Sequence, residues 1–197
     1  MRGCFTNCDC ERRKEMDING AQRMLGQMET WATEAGLRIL EEKEEGDRSH
    51  SAVYLAFLSQ VEKDGMMADV ITCIIYEQEI VMLCIRFHAD LTPAKMPDLM
   101  ELVNLLNFYN VGNVWIVFED DGLLECRTTL WQASLKIYRD RFVEALNDLV
   151  DSGYAQYHYF RRLIEEDEKF LSVKADIMRG MGLDTLINLG TETMGIC

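Results

Sequence analysis

The strongest constraint in this chain is an excess of apolar residues on both sides of its strands. Three strand-like runs, Ser51 to Val61, Met67 to Tyr76 and Glu79 to Phe87, follow one another, with Lys63-Asp64-Gly65 between the first two and a reversal near Glu77-Gln78 between the others. Short spacers of this kind join antiparallel neighbours, so the runs predict a meander. A sheet covered on one side should alternate apolar and polar residues, because every second side chain meets water. Here Val53, Leu55, Phe57 and Val61 fall on one face and Tyr54, Ala56 and Leu58 on the other. A two-residue reversal places Ile71, Cys73, Ile75, Ile80, Met82 and Cys84 together, and Val70, Ile74, Tyr76, Val81, Leu83 and Ile85 on the opposite side. Further on, Val114, Ile116 and Phe118 oppose Trp115 and Val117. Both faces demand cover, since burying one such side chain contributes about 1.5–3 kcal/mol.

The helices available to supply that cover are few. Met24, Met28, Trp31 and Ala35 recur at helical spacing, and Gly36 stands where a left-handed stop is wanted. Leu37 to Glu42 can continue as a short strand before the charged turn Glu44-Glu45-Gly46-Asp47. Met96, Leu99, Met100, Val103, Leu106 and Asn107 trace a second helix, with Pro97 early in it, where a missing N–H costs little. Val114 to Phe118 and Leu123 to Trp131 form a hairpin turned at Glu119-Asp120-Asp121-Gly122. A long third helix carries the stripe Tyr138, Phe142, Leu146, Leu149, Gly153, Tyr157, Phe160 and Ile164. The expectation is an α+β domain with an antiparallel sheet, in the order α-β-β-β-α-β-β-α, over residues 17–170. Residues 1–16 read as a mobile cysteine-bearing tail and 171–197, with Gly180, Gly182, Gly190 and Gly195, as a weakly structured extension.

Charge narrows the function classes. Twenty Lys and Arg against 34 Asp and Glu leave a net charge of −14, which argues against nucleic acid, whose phosphates need a basic face. No apolar run approaches the roughly 20 residues that span a bilayer, and the first 16 residues lack a signal-peptide core, so the expected location is the cytoplasm without membrane attachment. Seven cysteines, an odd number, exclude a complete disulfide framework.

Motifs for chemistry are weak. Cys4, Cys8 and Cys10 form C-x3-C-x-C, raw material for a metal or redox site, but the spacing is not the common C-x2-C and a fourth ligand is not evident. Cys84 and His88, with Asp90 beyond, are four apart, which on a strand is about 13 Å along the axis, too far for a nucleophile and its base. Cys73 and Cys84 would be diagonal neighbours across the hairpin, packed as small apolar residues. Gly180-Met181-Gly182 lacks the preceding strand a dinucleotide loop needs, and Glu119-Asp120-Asp121 lacks the ligand ladder of a calcium loop. There is no G-x-S-x-G, P-loop or H-E-x-x-H. These readings favour a non-enzyme without a cofactor.

The segment Asp98-Leu99-Met100-Glu101-Leu102-Val103-Asn104-Leu105-Leu106-Asn107, the hairpin VGNVWIVFEDDGLLECRTTLW and the long helix after it resemble the YbjN-like family of bacterial sensory transduction regulators. The element order is also similar to that of type III secretion chaperones. Over residues 20–168 the resemblance implies a small acidic, non-catalytic, often dimeric protein that recognises other polypeptides. It supplies no catalytic residue, and for Asn107 it implies a helix-ending role in which the amide satisfies nearby backbone groups. The expectation is therefore a protein-binding regulator or chaperone-like adaptor, a homodimer, with Tyr54, Tyr76, Trp115 and Trp131 as candidate contacts for a polypeptide client or as core. The alternative is a metal- or redox-responsive sensor working through Cys4, Cys8 and Cys10.

Overall fold

The computed structural model describes residues 18–46, 53–75, 80–110, 112–131 and 137–181. In chain order the elements are α1 (Ile18–Glu34), β1 (Arg38–Gly46), β2 (Val53–Lys63), β3 (Met66–Ile75), β4 (Ile80–His88), α2 (Met96–Tyr109), β5 (Asn113–Phe118), β6 (Leu123–Trp131), α3 (Arg139–Ile164) and α4 (Phe170–Gly180). The α+β class and the antiparallel sheet are as expected, and the order corrects to α-β-β-β-β-α-β-β-α-α. Six strands form one sheet, β1-β2-β3-β4-β6-β5, with every pairing antiparallel.

Two elements depart from the sequence reading. The short strand after α1 runs on to Gly46, through glutamates that looked like a turn. At the edge of the sheet, β1 has one side without a ladder partner among the described residues, and charge at such an edge is tolerated and blocks further pairing. At the other end, residues 170–180 are not a loose extension. Phe170, Val173 and Ile177 recur at helical spacing and join the main core, with Met178 also buried. The boundary drawn at residue 170 cut across that stripe. The expected tail 1–16, the reversal at Glu77-Gln78 and residues 182–197 lie outside the described residues.

Turn chemistry sets the registers. Asp64 and Gly65 both have positive φ, +54° and +75°, the primed turn whose twist matches a two-residue hairpin, and Lys63 pairs with Met66 around it. Gly122, at φ +62°, closes the β5–β6 turn, where an added Cβ would lie 2.9 Å from the Ala89 carbonyl oxygen.

The core lies between the helices and one face of the sheet. Leu55 and Phe57 of β2, Val70 and Ile74 of β3, Val81, Leu83, Ile85 and Phe87 of β4, Leu124 and Cys126 of β6 and Trp115 of β5 share it with side chains of all four helices. Phe87 stacks on Tyr157 at 4.1 Å between ring centroids, and Trp115 meets Phe160 at 4.6 Å. Gly153 lets α3 approach β4 closely, since a Cβ there would stand 2.7 Å from Ile85 Cγ2.

At the far end of α3, Arg162 donates to both carboxylate oxygens of Glu168 at 2.7 Å and to Asp176 of α4 at 2.7 Å. This fork fastens α4 to its neighbour.

Candidate functional site

The pairing registers assign every strand residue to a face. Leu58, Ile71, Cys84 and Arg127 form one cross-strand row, Ala56, Cys73 and Met82 the row above it, and Gln60, Asp69, Arg86 and Glu125 the row below. Ile71, Cys73, Ile75, Ile80, Met82 and Cys84 share a face, as the alternation predicts. Cys73 pairs with Met82 and Ile71 with Cys84, so the two cysteines are indeed diagonal neighbours. None of these residues belongs to the main core: all four helices pack on the opposite face, and among the described residues nothing is laid across this one.

The uncovered face is concave. Ala56, Leu58, Ile71, Cys73, Ile75, Met82 and Cys84 make the apolar floor of a trough of about 520 Å³, and Asp69, Arg86 and Arg127 stand at its polar end. A volume of this order, apolar with a few convergent polar groups, is typical of binding sites. Leu58, Ile71, Ile75 and Met82 are partly exposed, whereas Cys84 is only 1% exposed.

The polar end is organised by a carboxylate removed from water. Glu125 has no exposed surface, and it accepts from Arg86 Nε at 2.5 Å and from Arg127 Nε and Nη2 at 2.9 and 2.5 Å. A buried carboxylate needs such partners, because leaving it unpaired would cost several kcal/mol. Burial works against the Arg127 charge, but its bonds to Glu125 outweigh that and hold the guanidinium above its ordinary range. Both guanidiniums are about one-third exposed, at 34% and 33%. Among the described residues Arg86 spends only Nε, so its two terminal nitrogens remain available in the trough. Asp69, across the ladder from Arg86, is engaged elsewhere: it accepts from Gln60 Nε2 at 2.9 Å and lies 3.3 Å from His88 Nε2.

The candidate contact residues separate. Tyr54 and Trp131 sit in register with Ile75 and Ile80, in the row that continues the uncovered face. Tyr76 lies outside the described residues. Trp115 is on the helix side and 1% exposed, its indole nitrogen donating to Gln156 Oε1 at 2.5 Å, so it is a core residue and not a contact. The sequence reading missed Glu125, Arg127 and Arg86. The i, i+2 spacing of Glu125 and Arg127 marks them as sharing a face, but the β4–β6 pairing that brings Arg86 beside them crosses over α2 and β5.

Cysteine chemistry is not favoured in the trough. Burial pushes the Cys73 thiol up to about 11 and the Cys84 thiol up to about 12, which keeps both as unreactive thiols at neutral pH. His88 faces Asp69 instead of forming a pair with Cys84. Cys4, Cys8 and Cys10 lie outside the described residues, among which no group of three or more metal-ligating side chains occurs. In a second, polar hollow of about 420 Å³ near His88 and Tyr157, Arg161 pairs with Glu165 at 3.0 Å. Among the described residues no helix is long and apolar enough to cross a membrane. No family model, no curated protein and no solved structure matches this chain.

Proposed function

We propose that this protein is a non-catalytic adaptor that receives an apolar segment of a polypeptide client on the uncovered face of its sheet. The observation that carries the reading is the apolar floor of Leu58, Ile71, Ile75 and Met82, left partly in water while four helices crowd the other side. A concave site with an apolar floor and a few convergent polar groups at one end is the usual form of a binding site. A polypeptide suits an open trough because it carries apolar side chains on the side that docks and polar ones on the side that stays wet. The net charge of −14 steers basic partners toward the molecule and repels acidic ones at long range. The sequence resemblance of residues 20–168 to the YbjN-like regulators implies the same kind of role.

The test is photo-crosslinking in cells, with a benzophenone side chain placed at Ile75 or at Met82 in separate variants. Crosslinks from both positions to another polypeptide support the reading. Crosslinks at neither position, or only to a second copy of the same chain, refute it.

A further inference from the structure

Resting on that reading, we propose that the client segment carries a carboxylate, an Asp or Glu among its apolar residues, and that Arg86 and Arg127 receive it at the polar end of the trough. Glu125 accepts from Nε of both guanidiniums, which leaves the terminal nitrogens of Arg86, a residue lining the trough, with no partner among the described residues. Formal charge at this end balances, Arg86 and Arg127 against Glu125 and Asp69, but Asp69 is committed to Gln60 and His88, so the unspent donors lining the trough are the terminal nitrogens of Arg86. These donors sit inside a molecule that is strongly acidic as a whole, so the two scales select different features. The long-range field admits a segment that is basic on its wet side, and the arginine end accepts an acid on its docked side.

The guanidinium geometry favours a planar carboxylate, held through two parallel N–H bonds. An acyl chain with a carboxylate head would satisfy the arginines equally, but it has no polar side to turn toward water over an open trough. The occupant is therefore a polypeptide. Each charge-assisted bond in such a setting contributes on the order of 1.5–3 kcal/mol, which corresponds to roughly a tenfold or greater preference for Glu over Gln at one position.

The experiment is selection from a displayed library of ten-residue segments randomised over Leu, Val, Ser, Gln, Glu and Lys, with the full-length protein as bait. The expected result is enrichment of apolar segments in which one position takes Glu over Gln by about tenfold, lost with an Arg86→Gln bait and retained in part with Arg86→Lys. Exchange of that Glu for Gln in a selected peptide should weaken binding to the unaltered protein by the same factor, which decides the matter even where Arg86→Gln does not fold. Enriched segments indifferent to Glu or Gln would overturn the carboxylate anchor and leave the docking reading standing. No enrichment over the starting pool, or enrichment unchanged with an Ile71→Arg bait, would overturn docking in the trough itself. Two further results would also overturn the proposal. One is native mass spectrometry showing an acyl chain retained by the purified protein. The other is a dimer that Ile71→Arg converts to monomer, which gives the face to a second copy.

Discussion

The side-chain amide of Asn107 closes a two-bond ring on the backbone of Trp115, accepting from its N–H at 2.6 Å and donating to its carbonyl oxygen at 3.0 Å. Asn107 thereby does for edge strand β5 what a seventh strand would do. The amide comes from the last turn of α2, so one side chain both fixes the helix to the strand and occupies the outward-facing groups at the strand's centre. Edges left open recruit other strands, and this one is blunted from within. Asn107→Ala should lower stability by about 1–3 kcal/mol, the cost of leaving partly buried groups unpaired. Urea denaturation measures the loss. Light scattering at rising concentration should show added self-association through the freed edge.

Gly153→Ala is predicted to destabilise although it lies in a helix. At an open helical position the change would gain up to about 1 kcal/mol from propensity. Here the new methyl would meet Ile85 Cγ2 at 2.7 Å, and a β-branched side chain on a strand has little room to turn aside. Overpacking of this kind costs about 1–3 kcal/mol. Combining it with Ile85→Ala should cost less than the sum of the two single changes, and a double-mutant cycle by thermal denaturation checks this.

Thr72 carries the opposite expectation. It is fully buried on the helix side of β3, and its hydroxyl has no hydrogen-bond partner among the described residues. Thr72→Val keeps the shape and removes the unmatched oxygen, which should stabilise by about 1 kcal/mol. For a chain of this size that is a rise in Tm of about 2–4 °C, measurable by calorimetry.

Acid should loosen α4 first. The bonds from Arg162, then that from Ser172, hold the Glu168 carboxyl down to about 2 against an ordinary 4.5, and Arg162 likewise lowers Asp176. A group whose folded pKa is depressed contributes its full stabilisation above the unfolded value and loses it as pH falls through the folded one. Protection of the α4 amides from hydrogen exchange should therefore decline between pH 4.5 and 2. Arg162→Gln should flatten that dependence and reduce protection at neutral pH.

Thiol reactivity offers a direct check on the trough floor. Burial pushes Cys73 up to about 11 and both Cys84 and Cys126 up to about 12. At pH 8 all three should resist iodoacetamide in the folded protein and react once it is unfolded, as peptide mass mapping would show.

Much of the sheet was legible because its signals are local. The Asp64-Gly65 turn dictates a two-residue hairpin, and from it the alternation assigns Ile71, Cys73, Met82 and Cys84 to one face without any knowledge of the helices. Trp115 was not assignable in the same way, since strand parity says which residues share a face but not which face the helices occupy. Helix α4 was obscured because Gly180, its last residue, and Gly182 just beyond it read as the texture of the whole segment. The Glu125 cluster depended on β6 lying beside β4, a neighbourhood created only after the chain has made α2 and β5.

That strand order has a consequence for the protein during its synthesis. The floor of the trough comes from β2, β3 and β4, three hairpin-linked strands complete by His88, whereas Glu125 and Arg127 emerge only with β6. Chains generally fold from the first-made end as they leave the ribosome. A nascent chain halted after α2 would own the greasy floor while Arg86 still lacked the acid that aims it. The polar end of the trough is thus completed late in translation, when β6 pairs with β4 and brings β5 into the sheet.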